Sequence, residues 1–161
     1  MKNSIYFLLF ITSILFGQEQ NNKWVWNADN GDGTFSNPII NSDYSDPDVI
    51  RVGKKYYMTV SSFNCIPGLP ILESDDLVNW KLIGYALHEQ KPKEVYDLTQ
   101  HGNGVWAPCI RYHKKEFYIY YPDPDFGIYM IKSQKAEGPW SEPIMVKAGK
   151  GLIDPSPLWD D

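Results

Sequence analysis

A chain of 161 residues is enough for one ordinary domain, and an aromatic share of 15%, with six Trp and eleven Tyr, suits a β-rich core or a surface on which sugars stack. Twenty acidic against fifteen basic side chains give a formal charge of −5, and the charges are dispersed. Phosphate binding needs clustered Lys and Arg, so this balance argues against nucleic acid or an anionic membrane surface as partner.

The N-terminus reads as a secretory signal peptide over residues 1–17. Lys2 is its positive end, Ile5 to Phe16 its apolar run and Gly17 a small residue for cleavage. A run of that length is too short to span a bilayer comfortably, so the mature protein is expected outside the cytoplasm, secreted or periplasmic, without stable membrane insertion. Residues 18–36, rich in Gln, Asn, Asp and Gly, read as an irregular lead-in. The ordered part is expected over residues 37–161, where short β-branched and aromatic runs alternate with Gly, Pro, Asn and Asp and almost nothing has helical period.

The first ordered unit reads as a four-stranded meander. Its strands are Asp48 to Val52, Tyr56 to Ser61, Ile71 to Ser74 and Lys81 to Ala86, with a long loop from Ser62 to Pro70. A second unit repeats it. Ala107-Pro108 follows Asp46-Pro47 by 61 positions, and Trp140 follows Trp80 by 60. Its strands are expected at Cys109 to Tyr112, Phe117 to Tyr121, Ile128 to Lys132 and Ile144 to Val146. A third unit opens at Asp154-Pro155, and the sequence stops seven residues later. A repeat of this kind means a radial array of small β-sheets. A propeller needs several blades to hide its edges, so the chain reads as part of a longer protein, with about two blades and the start of a third. Cys65 and Cys109 read either as a pair formed after export or as two small apolar residues; neither has the neighbours of a zinc site.

In antiparallel four-stranded blades, the connection into strand one and the loop from strand two to strand three share one rim. Asp46, Ala107 and Asp154 are therefore expected around the mouth of the axis, walled by the loops that hold Phe63 and Asp123 to Phe126. Two acids facing each other across an aromatic funnel suit glycoside hydrolysis, which needs a base to activate water and an acid to protonate the leaving oxygen. The competing reading is structural: Asp caps a turn and Pro fixes φ at the head of a strand. Trp106 and Phe63 are candidates for sugar contact, with core or loop packing as the alternative. Asp125, with Asp123 across Pro124, is a candidate for binding sugar hydroxyls.

Five segments carry a resemblance to a known family. They are Tyr44-Ser45-Asp46-Pro47-Asp48-Val49-Ile50, Pro67-Gly68-Leu69-Pro70-Ile71, Ser74-Asp75-Asp76-Leu77-Val78-Asn79-Trp80, Gly104-Val105-Trp106-Ala107-Pro108 and Ile153-Asp154-Pro155-Ser156. Together they resemble glycoside hydrolase family 43, from about residue 37 to the end. The resemblance implies an all-β, five-bladed β-propeller and an inverting β-xylosidase or α-L-arabinofuranosidase that acts on an oligosaccharide or polysaccharide. It also implies roles: Asp46 as the general base, Asp154 as the acid that raises the donor's pKa, and an aromatic at Trp106 that packs on the sugar. The family's proton donor is a Glu on a later blade, beyond these residues. Glu137-Gly138-Pro139 resembles the donor's motif, but its place in the repeat puts Glu137 on the opposite rim, as a solvated turn residue. No cofactor is implied. Some members hold a calcium ion on the axis, and no complete ligand set for it stands in the sequence. A non-catalytic carbohydrate-binding propeller and a protein-interaction scaffold are the alternatives. The first would keep Trp106 and Phe63 and need no acids; nothing specific supports the second.

Overall fold

The computed structural model describes residues 26–160, so the leader read over residues 1–17 lies outside the described residues. Eight strands and one short helix follow in order: β1 Asp48–Val52, β2 Lys55–Thr59, β3 Gly68–Ser74, β4 Trp80–Leu87, α1 Lys93–Tyr96, β5 Cys109–His113, β6 Glu116–Asp123, β7 Gly127–Ser133 and β8 Ile144–Ala148. They build two four-stranded antiparallel sheets, β1-β2-β3-β4 and β5-β6-β7-β8. The repeat extends to the register. Asp48 faces Thr59 and Ile50 faces Tyr57 in the first sheet, while Cys109 faces Tyr120 and Arg111 faces Tyr118 in the second, each residue 61 positions on.

Period-two patterning explains which face packs. In β6, Phe117, Ile119 and Tyr121 are buried, and in β7, Tyr129 and Ile131. These meet Leu69 and Ile71 of β3, Ala86 and Leu87 of β4 and Ile110 of β5 in one core between the sheets. Tyr57 meets Phe117 edge-on across that seam, with centroids 5.2 Å apart. The other face of the first sheet holds a smaller cluster of Met58, Val60 and Leu72, flanked by Ile40, Tyr44 and Trp80. An apolar cleft of ≈ 340 Å³ opens there between Ile40, Tyr44, Val49, Met58 and Trp80.

Asp48 ties the sheets together. Its Oδ2 accepts the Arg111 guanidinium at 2.6 Å and the Ile110 N–H at 2.7 Å. Each sheet also closes its β3–β4 or β7–β8 turn with an indole. Trp80 donates to the Leu77 carbonyl and Trp140 to the Ala136 carbonyl, at 3.0 and 3.2 Å.

Several strand ends shift by one or two residues from the sequence reading, β2 stopping at Thr59 and β6 running on to Asp123, and two departures are larger. Gly68-Leu69-Pro70, expected as loop, begins β3 and is buried. The ladder from β3 to β2 reaches only to Leu72, so Pro70 sits where β3 has one paired neighbour, Tyr85, and its missing N–H is tolerated. The one-turn helix α1 stands where no helix was expected, because four residues carry no readable period. The described part of the lead-in, residues 26–36, contains only an isolated Asp29–Phe35 bridge, and Asp29 receives the Asn79 amide at 3.0 Å.

Candidate active site

Asp46 lies just before β1 with φ at 50°, and Asp154 holds nearly the same angle, 52°. Left-handed backbone is disfavoured for residues with a Cβ, though Asp tolerates it better than most. Ala107, the counterpart of both in the repeat, is not in that conformation. The two acids thus share a strained backbone that the acid-free unit lacks, and strain of this sort gathers at functional sites.

Both acids are exposed at the residue level. Asp46 Oδ2 accepts the Ser61 hydroxyl at 2.7 Å. Ser61 Oγ in turn accepts the Ala107 N–H at 2.8 Å, and the Ser61 N–H donates to the Ser45 carbonyl at 3.0 Å. The Asp154 side chain has no hydrogen bond among the described residues. The chain leading to it is tied to the β6–β7 turn, since Gly149 donates to the Phe126 carbonyl at 2.9 Å and Gly151 to that of Pro124 at 2.7 Å.

Phe63 is half-buried and also left-handed, with φ at 50°. It is held by a two-bond bridge to Val105, Phe63 N–H to Val105 carbonyl at 2.8 Å and the reverse at 2.9 Å. The Gln90 amide donates to the same Phe63 carbonyl. Gly104 makes this approach feasible: at φ 97°, a Cβ there would overlap the Phe63 carbonyl oxygen and lie 2.8 Å from Gln90 Oε1. Trp106 is 38% exposed. Its indole N–H donates to the Gly102 carbonyl at 2.7 Å and its backbone N–H to that of Pro122 at 3.1 Å, so the ring is fixed while part of it stays open.

Asp125 is exposed at the tip of the β6–β7 turn. Its companion Asp123, also a candidate for sugar hydroxyls, is instead 2% exposed. It accepts the Tyr96 hydroxyl and, at 3.0 Å, the Asp125 N–H. Burial pushes the Asp123 carboxyl above the usual carboxylate range, against the pull of the Tyr96 hydrogen bond. Burial also pushes the Tyr96 phenol up, helped by the same bond.

Segments 45–46, 61–63, 105–107, 122–126 and 149–151 are thus joined by hydrogen bonds along one rim. Glu137 stands in the β7–β8 turn, which antiparallel order places at the other end of the sheet. It is exposed, and its carbonyl would lie 3.2 Å from a Cβ built on Gly84. Cys65 and Cys109 are free thiols; Cys109 is buried, and its thiol is pushed up to about 11 by burial and then by the Asp48 charge. Among the described residues, no group of three or more His, Cys, Asp or Glu comes together to hold a metal ion, so no residue is assigned to the axial calcium.

A family model described as glycosyl hydrolases family 43 matches residues 35–161. This chain belongs to family 43. Among curated relatives, a β-xylosidase of Formosa agariphila is 39% identical over 88% of this chain and 24% of its own length. A non-reducing end α-L-arabinofuranosidase of Bacteroides ovatus is 36% identical over 97% of this chain and 28% of its own. Among solved family-43 structures, that of a BlXynB variant from Bacillus licheniformis superposes with a TM-score of 0.69 at 34% identity, covering 78% of this chain and 27% of that one. The chain therefore spans about a quarter of the length of the curated relatives it matches. Its two sheets are two blades of the five-bladed β-propeller of family 43.

Ser61, Gln90 and Tyr96 were not singled out from the sequence. Ser61 alone carried a readable signal, since its counterpart in the repeat is Pro122. The partnerships of Gln90 and Tyr96 join segments 27 residues apart, without motif or period.

Proposed function

We propose that the protein is an inverting glycoside hydrolase acting on β-xylosides or α-L-arabinofuranosides of plant-type hemicellulose. Asp46 is the general base that takes a proton from the attacking water. Asp154 raises the donor's pKa and orients it, and the donor is a Glu on a later blade of the family's propeller. Inversion needs base and acid on opposite faces of the sugar, far enough apart to admit water. The observation that carries this reading is the shared left-handed backbone of Asp46 and Asp154, at 50° and 52°, with the Asp46 carboxylate anchored through one oxygen only. The half-open face of Trp106 suits stacking on pyranose C–H groups, Phe63 walls the same rim, and Asp125 is free to meet hydroxyls. The names of the Formosa and Bacteroides relatives support the substrate class.

The test is hydrolysis of aryl β-xyloside and aryl α-L-arabinofuranoside by the enzyme expressed from the complete reading frame. Asp46→Asn is expected to lower kcat by about 10²–10⁴-fold with folding retained. Undiminished turnover would remove Asp46 as base. Binding of xylo-oligosaccharides without hydrolysis of either substrate would favour the carbohydrate-binding propeller.

A further inference from the structure

We infer that Ser61 is the positioning residue of the candidate base: its hydroxyl holds one oxygen of Asp46 so that the other faces the attacking water. The inference rests on the reading of Asp46 given above, and deepens it.

Proton accounting fixes the direction of the hydrogen bonds. A hydroxyl has one proton to give and two lone pairs. The Ala107 N–H can only donate, and it lies 2.8 Å from Ser61 Oγ, so the oxygen accepts there. The hydroxyl proton is then left for Asp46 Oδ2 at 2.7 Å, which as a carboxylate can only accept. Ser61 is 5% exposed, so little solvent competes for this charge-assisted bond. Oδ1 of Asp46 has no partner among the described residues and is the oxygen left for water.

The repeat supplies a second, independent observation. Ser61 and Pro122 are counterparts, and so are Asp46 and Ala107, at the same offset of 61. The acid and the hydroxyl occur together in the first blade and are lost together in the second. Ser61 lies two residues past the end of β2, and its counterpart Pro122 lies within β6, so the hydroxyl builds the strand in neither blade. Its presence follows the carboxylate. The Ser61 N–H also holds the Ser45 carbonyl at 3.0 Å, so Ser61 braces the left-handed Asp46 through main chain and side chain together.

The test uses the enzyme from the complete reading frame with an aryl glycoside it turns over. Ser61→Ala is expected to lower kcat about 10–100-fold while KM changes less than about twofold, because a base out of line hurts the chemical step and not binding. Ser61→Thr, which restores the hydroxyl, is expected to recover most of kcat. In the Asp46→Asn background, Ser61→Ala should cost nothing further, since it acts only through Asp46. If Ser61→Ala does not fold, as read by its thermal melt, Ser61→Cys keeps the volume with a poor donor and is expected to show the kcat loss. Unchanged kcat in the folded Ala or Cys variant, or full additivity with Asp46→Asn, would overturn the inference. Retained turnover in Asp46→Asn alone would overturn the functional reading instead, so the two failures are told apart.

Discussion

At the scale of single residues, Asp123 shows how far a carboxylate's role depends on where its strand ends. It sits on the last position of β6, turned inward, with Tyr96 as its hydroxyl donor. Tyr96→Phe removes that donor and is expected to destabilise the protein by about 1–3 kcal/mol, the cost of leaving a buried acceptor short of a partner. The pH sign follows from the upward shift of Asp123. Its proton is held more tightly when folded, so the burial penalty is absent below the ordinary Asp value and develops as pH rises through the folded one. The Tyr96 hydroxyl relieves the charged form. Thermal melts should therefore separate the variant from wild type more at pH 7 than at or below about pH 4, near the ordinary Asp value. An equal gap at both would show that Asp123 stays neutral. Candidate residues were legible where the repeat exposes them. Asp46 and Asp154 stand out because a sister unit carries Ala, whereas Asp123 and Asp125 look alike in sequence and differ only in the direction the strand gives each side chain.

At the scale of elements, the two inner hairpins solve one problem with different residues. The β1–β2 turn uses Gly53 at φ 63°, while the β5–β6 turn forces Lys114 to 46° and Lys115 to 68°. Left-handed central residues at both places are the geometry for which Asn-Gly is the natural pair. Lys114→Asn with Lys115→Gly is expected to stabilise by about 1 kcal/mol, the left-handed penalty removed less the entropy of the added glycine. A denaturant midpoint that does not rise would contradict this. Strands were legible in order and number because each carries its own β-branched or aromatic run between turn residues. Their ends were not. Gly68 and Pro70 look like punctuation, and only the burial of Leu69 and Ile71 between blades pulls them into β3. The bridge from Phe63 to Val105 was likewise hidden, since its residues lie 42 positions apart in what the sequence shows as loops.

At the scale of the molecule, the seam between blades decides stability. Asp48 carries it electrostatically: one oxygen serves both Arg111 and the Ile110 N–H, with the two side chains 29% and 31% exposed. Asp48→Ala leaves the guanidinium and a backbone donor without that acceptor. Because the pair is partly solvated, the expected cost is about 1–3 kcal/mol, below that of breaking a fully buried pair. Chemical denaturation checks it, and a loss under about 0.5 kcal/mol, typical of a surface pair, would place the strength of the seam in the apolar core alone. The apolar core between sheets was foreshadowed by the apolar and aromatic runs of β6 and β7, but not which residues face it, because both runs are apolar or aromatic throughout. The Asp48 tie was not, because nothing in Asp-Pro-Asp says which acid turns to the neighbouring sheet and which to the rim.

With Asp46 as the proposed base, the hydroxyl that bridges it to the backbone of Ala107 makes turnover a gauge of how tightly two blades are closed. Warming that loosened the gap would take the Ala107 N–H from Ser61 Oγ before the strand ladders part, and with it the brace that aims the hydroxyl at Asp46. Turnover is then expected to fade, reversibly, at temperatures where ellipticity has not yet begun to change.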